Sequence, residues 1–201
     1  MIRVLIADDQ ALIRGALATL LGLEPDIEVV AQLPDGSQIV QTVAEHAVDV
    51  AILDIDMPVL DGLGAAAILK DSGHACRTLM LTTFGRPGYL SRALEAGASG
   101  FLVKDTPPQR LADAIRTIAA GGKAIDPELA MEAVILGNNP LTAREQEILR
   151  LAATGADAPA MAATLFLTEG TVRNYLSSAI AKTQARNRTE AARVAERNGW
   201  L

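Results

Sequence analysis

Five short apolar runs alternate with five helical segments over the first 120 residues, and this constrains the fold more than anything else in the chain. Arg3–Ala7, Ile27–Leu33, Val48–Leu53, Arg77–Thr82 and Gly100–Val103 read as strands. Residues 10–22, 37–46, 62–71, 89–96 and 108–120 read as helices that follow them in turn. The run Val50-Ala51-Ile52-Leu53 holds no polar residue, as a strand covered on both faces requires. Strict alternation predicts a five-stranded parallel sheet with helices on both sides, an α/β unit. No glycine-rich phosphate loop follows the first strand, which argues against a dinucleotide fold.

In such a sheet, ligand chemistry collects at the carboxyl ends of the strands. Those ends carry Asp8 and Asp9 after the first strand, then Asp54 with Asp56 after the third. Thr82 closes the fourth strand and Lys104 follows the fifth. Crowded carboxylates repel one another and gain proton affinity unless a cation joins them. A hard divalent ion such as Mg²⁺, bound by carboxylates, water and a phosphate, relieves the repulsion. Asp54 then fits a nucleophile towards phosphorus, with Lys104 as a compact cation and Thr82 as a hydroxyl donor.

Residues 121–139 are acidic and read as a linker with one helical piece at 127–136. Beyond them every segment is helical in pattern. Thr142 reads as a helix cap answered by Glu145 three residues on. Ile148, Leu149, Leu151 and Ala152 form the buried stripe of that helix. Asp157 caps a short helix, Phe166-Leu167 is a turn, and Thr168 caps a longer one. The apolar positions of the longer helix are Val172, Tyr175, Leu176, Ala179 and Ile180. Its other side offers Glu169, Thr171, Arg173, Asn174, Ser177, Ser178 and Lys182, side chains able to reach base edges and phosphates. Short helix, turn and capped longer helix make a helix-turn-helix pattern, with the second helix placed to enter the major groove.

The strings Val4-Leu5-Ile6-Ala7-Asp8-Asp9, Leu53-Asp54-Ile55-Asp56-Met57-Pro58, Leu81-Thr82-Thr83 and Gly100-Phe101-Leu102-Val103-Lys104 resemble the motifs of response-regulator receiver domains. Leu141–Leu149, Glu169–Tyr175 and Asn187–Ala191 resemble the LuxR-type DNA-binding domain. Together the whole chain is similar to the NarL/FixJ family of response regulators. Residues 83–89 and 171–175 resemble its DesR branch, which regulates membrane-lipid desaturation. The resemblance implies a flavodoxin-like (βα)5 receiver over 1–120, a linker over 121–139 and a DNA-binding domain over 140–201. It implies that Asp54 accepts phosphate from a sensor histidine kinase. Asp8, Asp9, Asp54 and the backbone carbonyl of Asp56 would hold Mg²⁺. Thr82 and Phe101 would be the switch pair, and Lys104 would bind the phosphoryl group. Thr168, Glu169, Thr171, Arg173, Asn174, Ser177 and Lys182 would contact double-stranded promoter DNA, with RNA polymerase as a further partner.

Three departures from the family stand out. Asp105 follows Lys104 where many receivers have proline. Ala158-Pro159-Ala160-Met161 replaces a polar helix start, and Thr183 stands where leucine is usual.

Charge follows the same division. The chain carries a net charge of -6, but residues 141–201 hold 8 basic and 6 acidic side chains against 10 and 15 in residues 1–123. The first helix has Arg14 as its only charge from Gln10 to Gly22, with core positions expected near Ile13, Ala16, Leu17 and Leu20. Leu12, Gly15, Ala18 and Thr19 on its other side are a candidate dimer surface for a phosphorylation-induced homodimer. No apolar run approaches a membrane span, no export signal is visible, and the lone Cys76 fits a reducing, cytoplasmic setting as a small apolar residue. Two other readings remain. Asp54-Ile55-Asp56 resembles the paired aspartates of haloacid-dehalogenase-type phosphatases, but there the pair follows the first strand. The other reading is a regulator that uses its receiver only for dimerisation, without phosphorylation. The pattern as a whole expects no enzyme.

Overall fold

The computed structural model describes residues 1–83, 85, 87–136 and 139–201. One compact unit is built from Met1–Gly85 and Leu90–Met131, and a second chiefly from Glu132–Leu201.

In the first unit, strands β1 (Ile2–Ala7), β2 (Ile27–Leu33), β3 (Val50–Leu53), β4 (Arg77–Thr82), β5 (Gly100–Val103) and β6 (Ala124–Ile125) form one sheet. Helices α1 (Ala11–Leu21), α2 (Ile39–His46), α3 (Gly62–Asp71), α4 (Pro87–Glu95) and α5 (Pro108–Ala119) connect them. The strand order is β2-β1-β3-β4-β5-β6 and every pairing is parallel. The sheet therefore has six strands, one more than the sequence pattern predicts. β6 is two residues long, too short to leave a periodic signal, and lies inside the expected linker. Its register is set by bonds from Ala124 N to Ser99 O and from Asp126 N to Phe101 O. Residues 83–89, which carry part of the expected DesR-like resemblance, lie partly outside the described residues.

Successive strand residues point to opposite faces. Val4, Ile6, Val50, Ile52, Leu79, Leu81 and Leu102 pack with Leu111, Ile115 and Ile118 of α5 and Leu21 of α1. Leu5, Ala51, Leu53, Met80 and Phe101, also fully buried, alternate to the other side. The phase of α1 differs from the expectation. Leu17, Ala18 and Leu21 lie against the core, while Ala16 and Leu20 are exposed. Ala18 is thus not a free surface position. Leu21, which completes the i, i+4 stripe with Leu17, sets the helix's rotation.

The second unit contains α6 (Pro127–Leu136), α7 (Ala143–Ala153), α8 (Ala158–Leu165), α9 (Glu169–Lys182) and α10 (Arg188–Arg197), with α6 beginning in the first unit. Each of the last four starts at a side-chain cap: Thr142, Asp157, Thr168 and Asn187 each accept from the backbone N–H of the third residue of the helix. Their core joins Ile148, Leu149, Met161, Val172, Leu176, Ala191, Ala195 and Trp200. Met161 is fully buried and Ala158 packs against the core, while Pro159 and Ala160 are exposed, so the replaced start of α8 supplies core through two of its four residues. Thr183 is buried at the leucine position, and its hydroxyl donates to the Ala179 and Ile180 carbonyls of its own helix. No helix among the described residues is long and apolar enough to cross a membrane.

Candidate functional site

The strand order reverses direction at β1 and β3, and the crevice of an open parallel sheet opens at that point. Ala7 pairs with Leu53, so Asp8 and Asp54 leave the sheet side by side. Both are buried, at 2% and 4% exposure. The Asp54 loop is held by donation from its N–H to the Ala7 carbonyl and from the Ile55 N–H to Asp54 Oδ1 at 2.8 Å. Asp8 Oδ1 accepts from the Gln10 N–H at 2.9 Å, and the Arg14 guanidinium donates to the Asp8 carbonyl. Gly62, at the start of α3, donates to the Ile55 carbonyl and lies so close that a Cβ there would sit 2.0 Å from the Asp54 carbonyl oxygen. Val59, on the rim, is exposed in left-handed backbone.

Lys104 leaves β5 and places its Nζ 2.7 Å from Asp8 Oδ2 and 2.8 Å from Asp54 Oδ2. Its N–H donates to the Thr82 carbonyl, and Thr106 N–H closes the following turn on Val103. Asp105 is exposed in that turn and does not prevent Lys104 from reaching the acids. Burial pushes the Asp54 carboxyl above its ordinary range, with Lys104 opposing. Burial works to lower the Lys104 pKa, but the Asp54 and Asp8 carboxylates outweigh it, so the ammonium stays charged. Asp9 is exposed, and one carboxylate oxygen from each of Asp8, Asp9 and Asp54 lies within 4.8 Å of the others. Asp56 is exposed, while Thr82 and Phe101 are buried at 1% and 0%. Burial pushes the Cys76 thiol up to about 12, so it is protonated at neutral pH.

In the second unit the outward side of α9 carries Glu169, Arg173, Asn174 and Ser177, following the cap Thr168. Thr171 is half-buried, and its Oγ1 shares a hydrogen bond with Thr168 Oγ1 at 2.9 Å. Arg173 pairs in the open with Glu169 one turn earlier, at 2.9 Å. Ser178 and Lys182 turn the other way. Ser178 Oγ donates to Glu145 Oε1 at 2.6 Å, and Lys182 Nζ donates to Glu145 Oε2 at 2.7 Å. The Thr142 N–H donates to Oε2 as well, completing the capping box. Glu145 is the one buried charged side chain among the described residues of this unit. Sequence spacing reveals it only as half of a cap, because its other partners lie 33 and 37 residues away.

The response regulator receiver domain family matches residues 4–116, and the bacterial regulatory proteins of the luxR family match residues 139–195. Two transcriptional regulatory proteins of Bacillus subtilis (strain 168), YvfU and DesR, are 47% and 46% identical over 201 residues, covering 100% of each chain. The crystal structure of response regulator ChrA of a heme-sensing two-component system is similar at 35% identity and a TM-score of 0.61. That similarity covers 100% of this chain and 98% of that one.

Proposed function

Because this chain belongs to the response-regulator family, joining a receiver domain to a LuxR-type DNA-binding domain, we propose that Asp54 is the phosphoacceptor of a transcription regulator addressed by a sensor histidine kinase. One observation carries the reading: two buried carboxylates, Asp8 and Asp54, share the Lys104 ammonium within 2.8 Å at the switch point of the sheet. An oxygen of Asp54 attacks the phosphorus of the kinase's phosphohistidine. The P–N bond breaks, the imidazole nitrogen keeps its electron pair and a proton then joins the ring.

Asp8, Asp9 and Asp54 offer hard oxygen donors of the kind Mg²⁺ takes, with the Asp56 backbone carbonyl as a further ligand. Bound there, the ion neutralises charge on the phosphoryl oxygens. Lys104 supplies a second positive charge to those oxygens, and the Thr82 hydroxyl a donor. Thr82 and Phe101 act as the switch pair that reports the new group. The receiver spans residues 1–120, the linker 121–139 and the DNA-binding domain 140–201.

Phosphorylation biases the receiver towards a homodimer through the exposed side of α1 around Leu12, Gly15 and Thr19. Paired DNA-binding domains then read promoter DNA through Thr168, Glu169, Thr171, Arg173, Asn174 and Ser177, with Lys182 near the end of the same helix. RNA polymerase is the further partner of such a complex. Intact-mass measurement after incubation with Mg²⁺ and a small phosphodonor tests the assignment. One phosphoryl group should add to the wild type and none to Asp54→Asn; equal labelling of both sinks it.

A further inference from the structure

The turn between α8 and α9 holds an aromatic residue that folding alone does not account for. Phe166 caps α8 with φ 55 and ψ 44, and its N–H bonds to the Ala162 carbonyl. That left-handed backbone is the usual end of a helix, where glycine or asparagine fits at lower cost than a bulky side chain. Its neighbours Leu165 and Leu167 both pack onto the core of the unit. The Phe166 ring does not, and remains 94% exposed, the most exposed large apolar side chain among the described residues. The position therefore bears unfavourable backbone and unfavourable hydration together, with no burial to offset them.

Two residues further on, Thr168 caps α9, whose outward side carries Glu169, Arg173 and Asn174. Phe166 is thus close in sequence to the α9 residues proposed above as DNA contacts. Apolar side chains make uncharged contacts there, to the thymine methyl group and the deoxyribose.

We propose that the Phe166 ring is a DNA contact that packs against thymine methyl and deoxyribose carbons beside the start of α9. The proposal rests on the DNA-binding reading of this unit. It explains why a ring stands where local stability favours asparagine, and it makes the position a determinant of affinity independent of salt, since no phosphate charge is neutralised.

The test uses the full-length protein and duplex DNA enriched by the wild type from a random pool. Phe166→Asn relieves the backbone and removes the ring, so thermal unfolding should stay level or rise while affinity falls roughly tenfold. The dependence of affinity on salt should keep its slope, and Phe166→Leu should fall between the two. Wild-type affinity in Phe166→Asn overturns the proposal, as does a lower unfolding temperature, which would make the ring structural. Intact DNA binding with lost activation of transcription would also overturn it, moving the ring to a protein interface. A wild type that enriches no duplex DNA contradicts the regulator reading itself.

Discussion

Lys182 near the end of α9 and Glu145 near the start of α7 meet at 2.7 Å, a charged pair with one partner sealed in the core and the other 35% exposed. Burial works to raise the Glu145 pKa, but hydrogen bonds from Lys182, Ser178 and Thr142 outweigh it and hold it at about 2, against an ordinary value of 4.5. A carboxyl whose folded pKa is depressed contributes stability that is complete above its unfolded pKa. That contribution is lost as pH falls through the folded one. The window is therefore about 4.5 down to about 2. The pair should contribute up to ~3 kcal/mol at neutral pH. Glu145→Gln should lose that amount at pH 7 and show a flatter acid profile in urea unfolding; parallel profiles for both proteins contradict the assignment.

Arg173 and Lys182 should separate in DNA-binding measurements. Arg173 is 68% exposed and held only by a solvent-exposed pair with Glu169, so turning its guanidinium to a base edge, as proposed, would cost little. Arg173→Ala should cost ~1–3 kcal/mol and relax specificity without changing stability. Lys182 has a structural partner, so Lys182→Met should lower stability and also reduce the salt slope by about one if its remaining N–H donors meet a phosphate. Unchanged binding in both variants would remove α9 as the reading element.

How much of the molecule is legible in the sequence depends on distance along the chain. Asp8, Asp54 and Lys104 stand at strand ends, where a local apolar run and its polar stop mark them out. The caps Thr142, Asp157 and Thr168 are equally local. The second role of Glu145 is not, because nothing in the spacing joins it to Ser178 and Lys182. β6 is too short for a period, and the rotation of α1 turns on Leu21, a single residue at the helix end. The αL backbone of Phe166 is set by the helix end it closes, and its type gives no hint of that.

Gly62 tests how tightly the Asp54 loop is fixed. A Cβ there meets backbone atoms, the Asp54 carbonyl oxygen at 2.0 Å and its carbon at 2.9 Å, neither of which can yield like a flexible side chain. Gly62→Ala should destabilise the receiver by ~1–3 kcal/mol and slow labelling of Asp54 together. Stability and labelling both at wild-type levels would show that the loop moves aside freely.

In the proposed mechanism phosphate on Asp54 drives dimerisation and DNA binding together, because a ligand shifts an equilibrium only by its differential stabilisation of the two states. Sedimentation velocity of the protein with a fluorescent duplex, before and after Asp54 labelling, measures both at once. The labelled wild type should sediment as a dimer and bind DNA more tightly than the unlabelled protein. Leu12→Asp, at a position 85% exposed on α1, should label normally yet lose both gains. A labelled wild type that stays monomeric and still binds DNA tightly would contradict the mechanism.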